Sequence, residues 1–217
     1  MRGKMRQWVM AKRPKGLVKP SDFLLQEVPV PTIRTGEVLV KTLYLGVAPI
    51  MLRYMTNETS FEKPMNIGDV MIGRGVGRVV ESKCTKFKVG DLLQTKLGWR
   101  EYGVIKDEPY FMTYKMSTTD LSPSYGVGAL GMNGFTSVIG MQDICEVKKG
   151  ETVLVSGAAG SVGSMAGFVA KALGCGTLVG IAGGTGKCTL LTESLGYDHA
   201  IDYKAQGMCK KFRHLFP

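Results

Sequence analysis

Apolar and polar positions alternate with a period of two over the first half of the chain and fall into a longer period in the second. Residues 7–11 (Gln-Trp-Val-Met-Ala) and 23–28 alternate as half-buried strands, separated by a loop carrying Pro14, Gly16 and Pro20. After the Pro29-Val-Pro31 break, residues 38–45 (Val-Leu-Val-Lys-Thr-Leu-Tyr-Leu) form a strong β-branched and aromatic run that ends at Gly46 and Pro49. One helical turn is expected over 51–54, then a polar loop through Asn57, Thr59 and Pro64. Further short strands are expected at 71–81, 92–94 and 99–105, with turns between them, the pattern of a small barrel.

From Ser117 the period changes. Ser122-Pro123-Ser124 offers a helix cap, and residues 134–145 carry apolar side chains at helical spacing. Residues 152–156 (Thr-Val-Leu-Val-Ser) read as a buried strand, followed by Gly157-Ala-Ala-Gly160-Ser-Val-Gly163 and then an Ala/Met/Phe/Val helix to Lys171. A strand at 177–181, a helix at 187–195 closed by Gly196 and a strand at 200–203 complete a βαβαβ order. The pattern predicts a β-rich domain over 1–130 and the first half of a doubly wound α/β domain over 131–217. With no second half written before Pro217, the chain reads as truncated.

Strand, glycine turn and helix in that order carry a chemistry. Glycines let a pyrophosphate approach the backbone and meet the free N–H groups at a helix start, which makes Gly160, Ser161, Val162 and Gly163 the candidate phosphate contacts. The usual spacing puts a glycine where Ala158 stands, so Gly157, Gly160 and Gly163 form an evenly spaced variant of the fingerprint. A second glycine cluster, Gly73-Arg-Gly75-Val-Gly77, has no helical pattern after it and is read as a strand bend. A fold selective for NAD places an acid at the end of the second strand, to hold the ribose 2′-hydroxyl. Here that strand runs into Ala182-Gly183-Gly184 with Lys187 close behind, small residues and a cation that suit a 2′-phosphate, so NADP(H) is the expected cofactor.

Composition narrows the alternatives. The hydrophobic content of 44% is that of an ordinary soluble protein, no apolar run is long enough to span a bilayer, and the basic start has no secretory signal pattern. The five cysteines (Cys84, Cys145, Cys175, Cys188 and Cys209) are scattered and suit reduced thiols, so a cytoplasmic location and no membrane partner are expected. With only His199 and His214 and no Cys-x-x-Cys pair, no zinc site is expected. The formal net charge of +10 invites a nucleic-acid reading, but the basic residues gather at 1–19 and 210–214 without interleaved aromatic motifs, and no specific nucleic-acid partner is expected.

The β-rich start, Gly131-Met132-Asn133-Gly134-Phe135-Thr136, and Lys149-Gly150-Glu151-Thr152-Val153 running into the glycine turn resemble the medium-chain dehydrogenase/reductase superfamily. Within it, Gly180-Ile-Ala-Gly-Gly184, Lys187-Cys188, Leu195-Gly196-Tyr197-Asp198 and Ala200-Ile-Asp-Tyr203-Lys204 are similar to the zinc-independent NADPH-dependent double-bond reductases. The resemblance implies a GroES-like β-barrel followed by half of a Rossmann domain, a small-molecule substrate and homodimers among full-length relatives. It implies hydride transfer from NADPH to the β-carbon of an α,β-unsaturated ketone or aldehyde, with activity impaired or absent in this fragment.

By the same resemblance, Lys187 and Tyr203 match positions that contact the 2′-phosphate, Met132 and Thr136 match the segment beside the nicotinamide, and Ile50 and Arg53 fall in the substrate-lining segment. Each has a plainer reading: an exposed first-turn lysine, a strand-end aromatic, and interdomain packing for Met132 and Thr136. The chain departs from the family where Ala48-Pro49-Ile50-Met51-Leu52-Arg53 replaces Asp-Pro-Tyr-Met-Arg, which removes a pocket tyrosine at Ile50. Asn133 and Val138 are also unusual. Cys175-Gly176-Thr177-Leu178 carries one residue more than its relatives, which is expected to shift the register of the second strand. No catalytic proton donor is identified. An NADPH:quinone oxidoreductase and a non-catalytic NADP-binding module remain the alternative functions.

Overall fold

The computed structural model describes residues 3–58, 62–117 and 120–205. Thr59, Cys209 and the basic stretch 210–214 with His214 lie outside the described residues. The chain divides into two compact units, Met1–Val127 and Gly128–Pro217.

In the first unit, β1 (Lys4–Met10) and β2 (Phe23–Pro29) pair as an antiparallel ribbon with Trp8 opposite Leu25. Five further strands, β3 (Glu37–Leu45), β4 (Arg74–Ser82), β5 (Leu92–Lys96), β6 (Tyr102–Lys106) and β7 (Tyr114–Lys115), form an antiparallel sheet in the order β6-β3-β4-β5-β7. The ribbon is bridged to this sheet's loops through Gln7 with Arg100 and Val9 with Val70. Alternation buries Val38, Val40, Val79, Leu93 and Ile105 in one cluster with Phe87 and Leu97, while Met10, Met55, Met65 and Met71 form a second.

The glycines at 73–77 belong to β4 and its approach, as expected. A β-carbon at Gly75 would lie 2.4 Å from the Tyr44 carbonyl oxygen, and one at Gly77 2.4 Å from Val40 Cγ1. The β3–β4 pairing shifts register between Thr42 and Tyr44 beside them, so these glycines serve close strand approach.

In the first unit the single-turn helix α1 (Ile50–Tyr54) follows β3, and in the second unit α2 (Met132–Val138) begins the α/β region. The helix expected over 134–145 thus starts two residues earlier and changes at Ile139–Ile144 to a wider winding, with the Cys145 N–H donating to the Gly140 carbonyl. Hydroxyls of Thr136 and Ser137 donate to the Met132 and Asn133 carbonyls just before the change, contacts that compete with regular helical bonds. Gly134 is required by sterics, because a β-carbon there would sit 1.7 Å from the Ala129 oxygen.

Then β8 (Thr152–Ser156), α3 (Ser161–Ala172), β9 (Thr177–Ala182), α4 (Thr185–Ser194) and β10 (His199–Asp202) follow in the expected βαβαβ order. The sheet is parallel, in the order β10-β9-β8, with central β9 buried along most of its length. Gly176 and Thr177 both donate their N–H to the Glu151 carbonyl, and the pairing of β9 with β8 runs unbroken from Thr152–Thr177 to Ser156–Ile181.

Candidate functional site

The turn after β8 is built from its backbone. Gly157 adopts φ +59°, a left-handed conformation that favours glycine, and its carbonyl accepts the Gly160 N–H at 2.9 Å. Gly160 caps α3 without a side-chain hydrogen bond, and the first helical bond runs from Ser164 N–H to Gly160 oxygen. The N–H groups of Ser161, Val162 and Gly163 therefore have no acceptor within the helix, and no acid stands in its first turn. Together with the helix dipole, such N–H groups suit an anion. A β-carbon at Gly163 would lie 2.5 Å from the Gly157 oxygen and 2.7 Å from Ala158 Cα, so this glycine sets how closely helix and turn approach.

Ala158, the departure from the usual glycine spacing, is fully buried at normal φ and donates its N–H to Ile181 oxygen at 3.1 Å. Its methyl faces Gly180 of β9, where an added β-carbon would come within 3.0 Å of it. The alanine fills the core between turn and β9.

A cleft of about 480 Å³ opens at this end of β8, lined by Thr136, Ser137, Met141, Leu154, Gly157 and Gly163 among others. Thr136 lies in it, with its hydroxyl turned to the Met132 carbonyl at 2.8 Å. Met132, by contrast, is at the exposed start of α2 and is not part of the cleft wall. Ser137 is buried, and its hydroxyl donates to the carbonyls of Asn133 and Val162, joining α2 to the first turn of α3. Sequence reasoning missed Ser137. Its only signal is a small hydroxyl on the apolar side of a helix.

Gly183, Gly184, Lys187 and Tyr203 lie around the carboxyl end of β9, on the same edge of the parallel sheet as the glycine turn. Gly184 (φ +96°) caps α4, Lys187 occupies the first turn and donates its backbone N–H to Gly184 oxygen, and no acid accompanies it. A cation in a first turn opposes the helix dipole, a conflict that a bound anion relieves. Tyr203 packs over Gly183, where an added β-carbon would be 2.7 Å from the phenol oxygen. Asp202, which sequence reasoning passed over, accepts at Oδ1 from the N–H groups of Gly184 (2.8 Å) and Lys204 (2.9 Å).

Tyr197 locks these parts together. Its buried ring lies where β-carbons at Gly167 and Gly180 would intrude, 2.6 and 2.8 Å from ring atoms, and its hydroxyl donates to the Gly163 carbonyl at 2.7 Å. Burial pushes the phenol pKa up to about 12. Next to it, the Asp198 carboxylate is held below the usual range by Lys171 Nζ at 2.7 Å and by the Leu178 N–H at 2.7 Å.

In the first unit, Ile50 opens α1 and is 37% exposed, while Arg53, three residues on, is exposed and paired with Glu58 at 3.5 Å. Among the described residues no group of three or more His, Cys, Asp or Glu is placed to hold a metal ion, and Cys84, Cys145 and Cys175 are free thiols. No helix of the described residues is long and apolar enough to cross a membrane.

Residues 6–113 match the N-terminal domain of oxidoreductase family. The chain is 39% identical over 212 residues to NADPH-dependent curcumin reductase of Escherichia coli (strain K12), covering 98% of this chain and 60% of that protein. It is 40% identical over 199 residues to prostaglandin reductase 1 of Bos taurus, covering 92% and 58%. CurA from Vibrio vulnificus, solved in complex with NADPH, superposes with a TM-score of 0.83 at 36% identity, covering 97% of this chain and 61% of that one. The chain thus spans about 60% of the length of the curated relatives it matches. On the glycine turn, the βαβαβ order and these likenesses together, the chain belongs to the medium-chain dehydrogenase/reductase superfamily, in the group that holds the curcumin and prostaglandin reductases.

Proposed function

We propose that the protein is an NADPH-dependent oxidoreductase that reduces the C=C bond of α,β-unsaturated ketones or aldehydes. The observation that carries the reading is identity of 39% and 40%, over 98% and 92% of this chain, to an NADPH-dependent curcumin reductase and a prostaglandin reductase, joined to a turn whose residues fit the nucleotide. The fit is steric and electrostatic. Gly160 and Gly163 leave the backbone open beside free helix N–H groups, while β9 ends without an acid and with Lys187 and Tyr203 beside it.

In this reading the N–H groups of Ser161, Val162 and Gly163 hold the pyrophosphate, and Gly183, Gly184, Lys187 and Tyr203 hold the adenosine 2′-phosphate. When bound, NADPH supplies the hydride. Thr136 contributes to the wall of the cleft with Met141 and Leu154, and Met132 is proposed to flank the nicotinamide from the start of α2. Ile50 and Arg53 are the proposed substrate-lining residues of the first unit, with an aliphatic side chain in place of a tyrosine hydroxyl. The wall of the cleft holds the hydroxyls of Thr136, Ser137 and Ser156. The free thiols fit a reducing, cytoplasmic setting.

The test has two arms. The 217-residue chain is titrated with 2′,5′-ADP and with 5′-AMP, and it is assayed for NADPH oxidation with enones and with quinones. Preference for 2′,5′-ADP and turnover of enones are expected. Turnover confined to quinones, or no preference for the 2′-phosphate, overturns the assignment.

A further inference from the structure

We propose that Asp202 is a positioning residue for 2′-phosphate selectivity, its carboxylate fastening the β9–α4 turn to the end of β10. This deepens the NADP(H) reading and rests on it. The geometry is unusual for a carboxylate. Asp202 pairs in register with Ala182, so it stands beside the very strand end that in NAD-selective folds carries the acid for the ribose hydroxyls. An acid there repels a 2′-phosphate, so its presence is explained only if it does something for the fold.

Here it does. Oδ1 accepts the Gly184 N–H at 2.8 Å and the Lys204 N–H at 2.9 Å, so one carboxylate oxygen spans the first residue of the turn and the residue after Tyr203. Gly184 is the cap of α4, and the carboxylate from the next strand accepts the N–H of this cap residue itself, the contact that a Glu at the third helical position makes in a capping box. Two consequences follow for the neighbours. Gly184 is held at φ +96° with its carbonyl accepting the Lys187 N–H at 3.1 Å, which fixes the start of the turn that bears Lys187. Lys204 is tied back by its backbone, which fixes the chain direction on the far side of Tyr203 and keeps the ring over Gly183. The two groups proposed to contact the phosphate, on different elements, are thus referenced to a single oxygen atom.

Asp202→Ala removes that reference; Asp202→Asn keeps an oxygen in the same place and removes the charge. Affinity for 2′,5′-ADP and for 5′-AMP is measured by calorimetry for the wild-type chain and both variants, with circular dichroism confirming the fold. The alanine variant is expected to lower the 2′,5′-ADP to 5′-AMP affinity ratio by about tenfold, the size of losing hydrogen bonds to a charged acceptor. The asparagine variant is expected to keep the ratio within about threefold of wild type, because its amide oxygen still accepts both N–H groups. An unchanged ratio in Asp202→Ala overturns the inference while leaving the NADP(H) reading intact, and so does an equal loss of both nucleotides in the two variants. A wild-type chain that does not prefer 2′,5′-ADP overturns both.

Discussion

Replacing Gly163 by alanine separates two roles that a glycine in a helix can have. If the residue were there for backbone freedom, alanine would stabilise α3 by about 1 kcal/mol, the difference in helix propensity. The structure predicts otherwise. The added methyl carbon would lie 2.5 Å from the Gly157 oxygen, 2.7 Å from Ala158 Cα and 2.9 Å from Ala158 C, all backbone atoms of the turn and none of them the end of a flexible side chain. To regain ordinary contact the helix start and the turn must separate by about 1 Å, an overpacking cost of about 1–3 kcal/mol. Set against the propensity gain, the net loss of stability is about 0–2 kcal/mol. Binding suffers more, since a displaced helix start misaims the N–H groups of 161–163. Losing one charge-assisted bond of about 1.5–3 kcal/mol weakens the nucleotide by about 10- to 150-fold.

The assay is a 2′,5′-ADP titration beside a thermal melt. Gly186→Ala serves as the reference, because its methyl meets no atom within 4 Å and is expected to raise stability or leave it unchanged. A Gly163→Ala chain that binds within about threefold of wild type would refute the claim that this glycine sets the approach of helix and turn.

Tyr197→Phe is expected to cost about 1 kcal/mol at neutral pH, for the lost bond to the Gly163 carbonyl. Because burial raises the folded-state pKa from 10.0 to about 12, the phenol's contribution is fully present below pH 10 and is lost as pH rises toward 12. Urea melts should therefore show the gap between wild type and variant closing over that window, and a gap that stays constant contradicts the assignment. Lys187→Ala is expected to weaken 2′,5′-ADP by about 10- to 100-fold while 5′-AMP changes by less than about threefold. Equal loss of both nucleotides, measured by calorimetry, would assign the lysine to general structure.

What was legible in the sequence depended on neighbours in the chain. The run Thr-Val-Leu-Val-Ser before Gly157 and the apolar helix after Gly163 identify strand, turn and helix, and the lack of any helical pattern after Gly77 separates the two glycine clusters. Local pattern failed where distant groups decide. The wider winding at Ile139–Ile144 follows hydroxyl bonds at Thr136 and Ser137, and one of these reaches Val162 across to another helix. Tyr197 looks like a residue of a helix-ending loop, yet it fits only because Gly167 and Gly180 vacate space on two other elements.

Asp202 shows the limit most sharply. Nothing in Ala-Ile-Asp-Tyr says whether the acid faces solvent, a ribose or a backbone. Its role follows from register: Asp202 lies opposite Ala182 and Ile201 opposite Ile181, with Ile201 fully buried. A slip of one residue would turn the acid toward the core and the isoleucine toward the cap of α4, so burial of Ile201 is what delivers the carboxylate to Gly184. The selectivity of the site is therefore tied to the packing of the sheet as well as to the charges that face the nucleotide, and changes at Ile201 should move the 2′-phosphate preference without touching it.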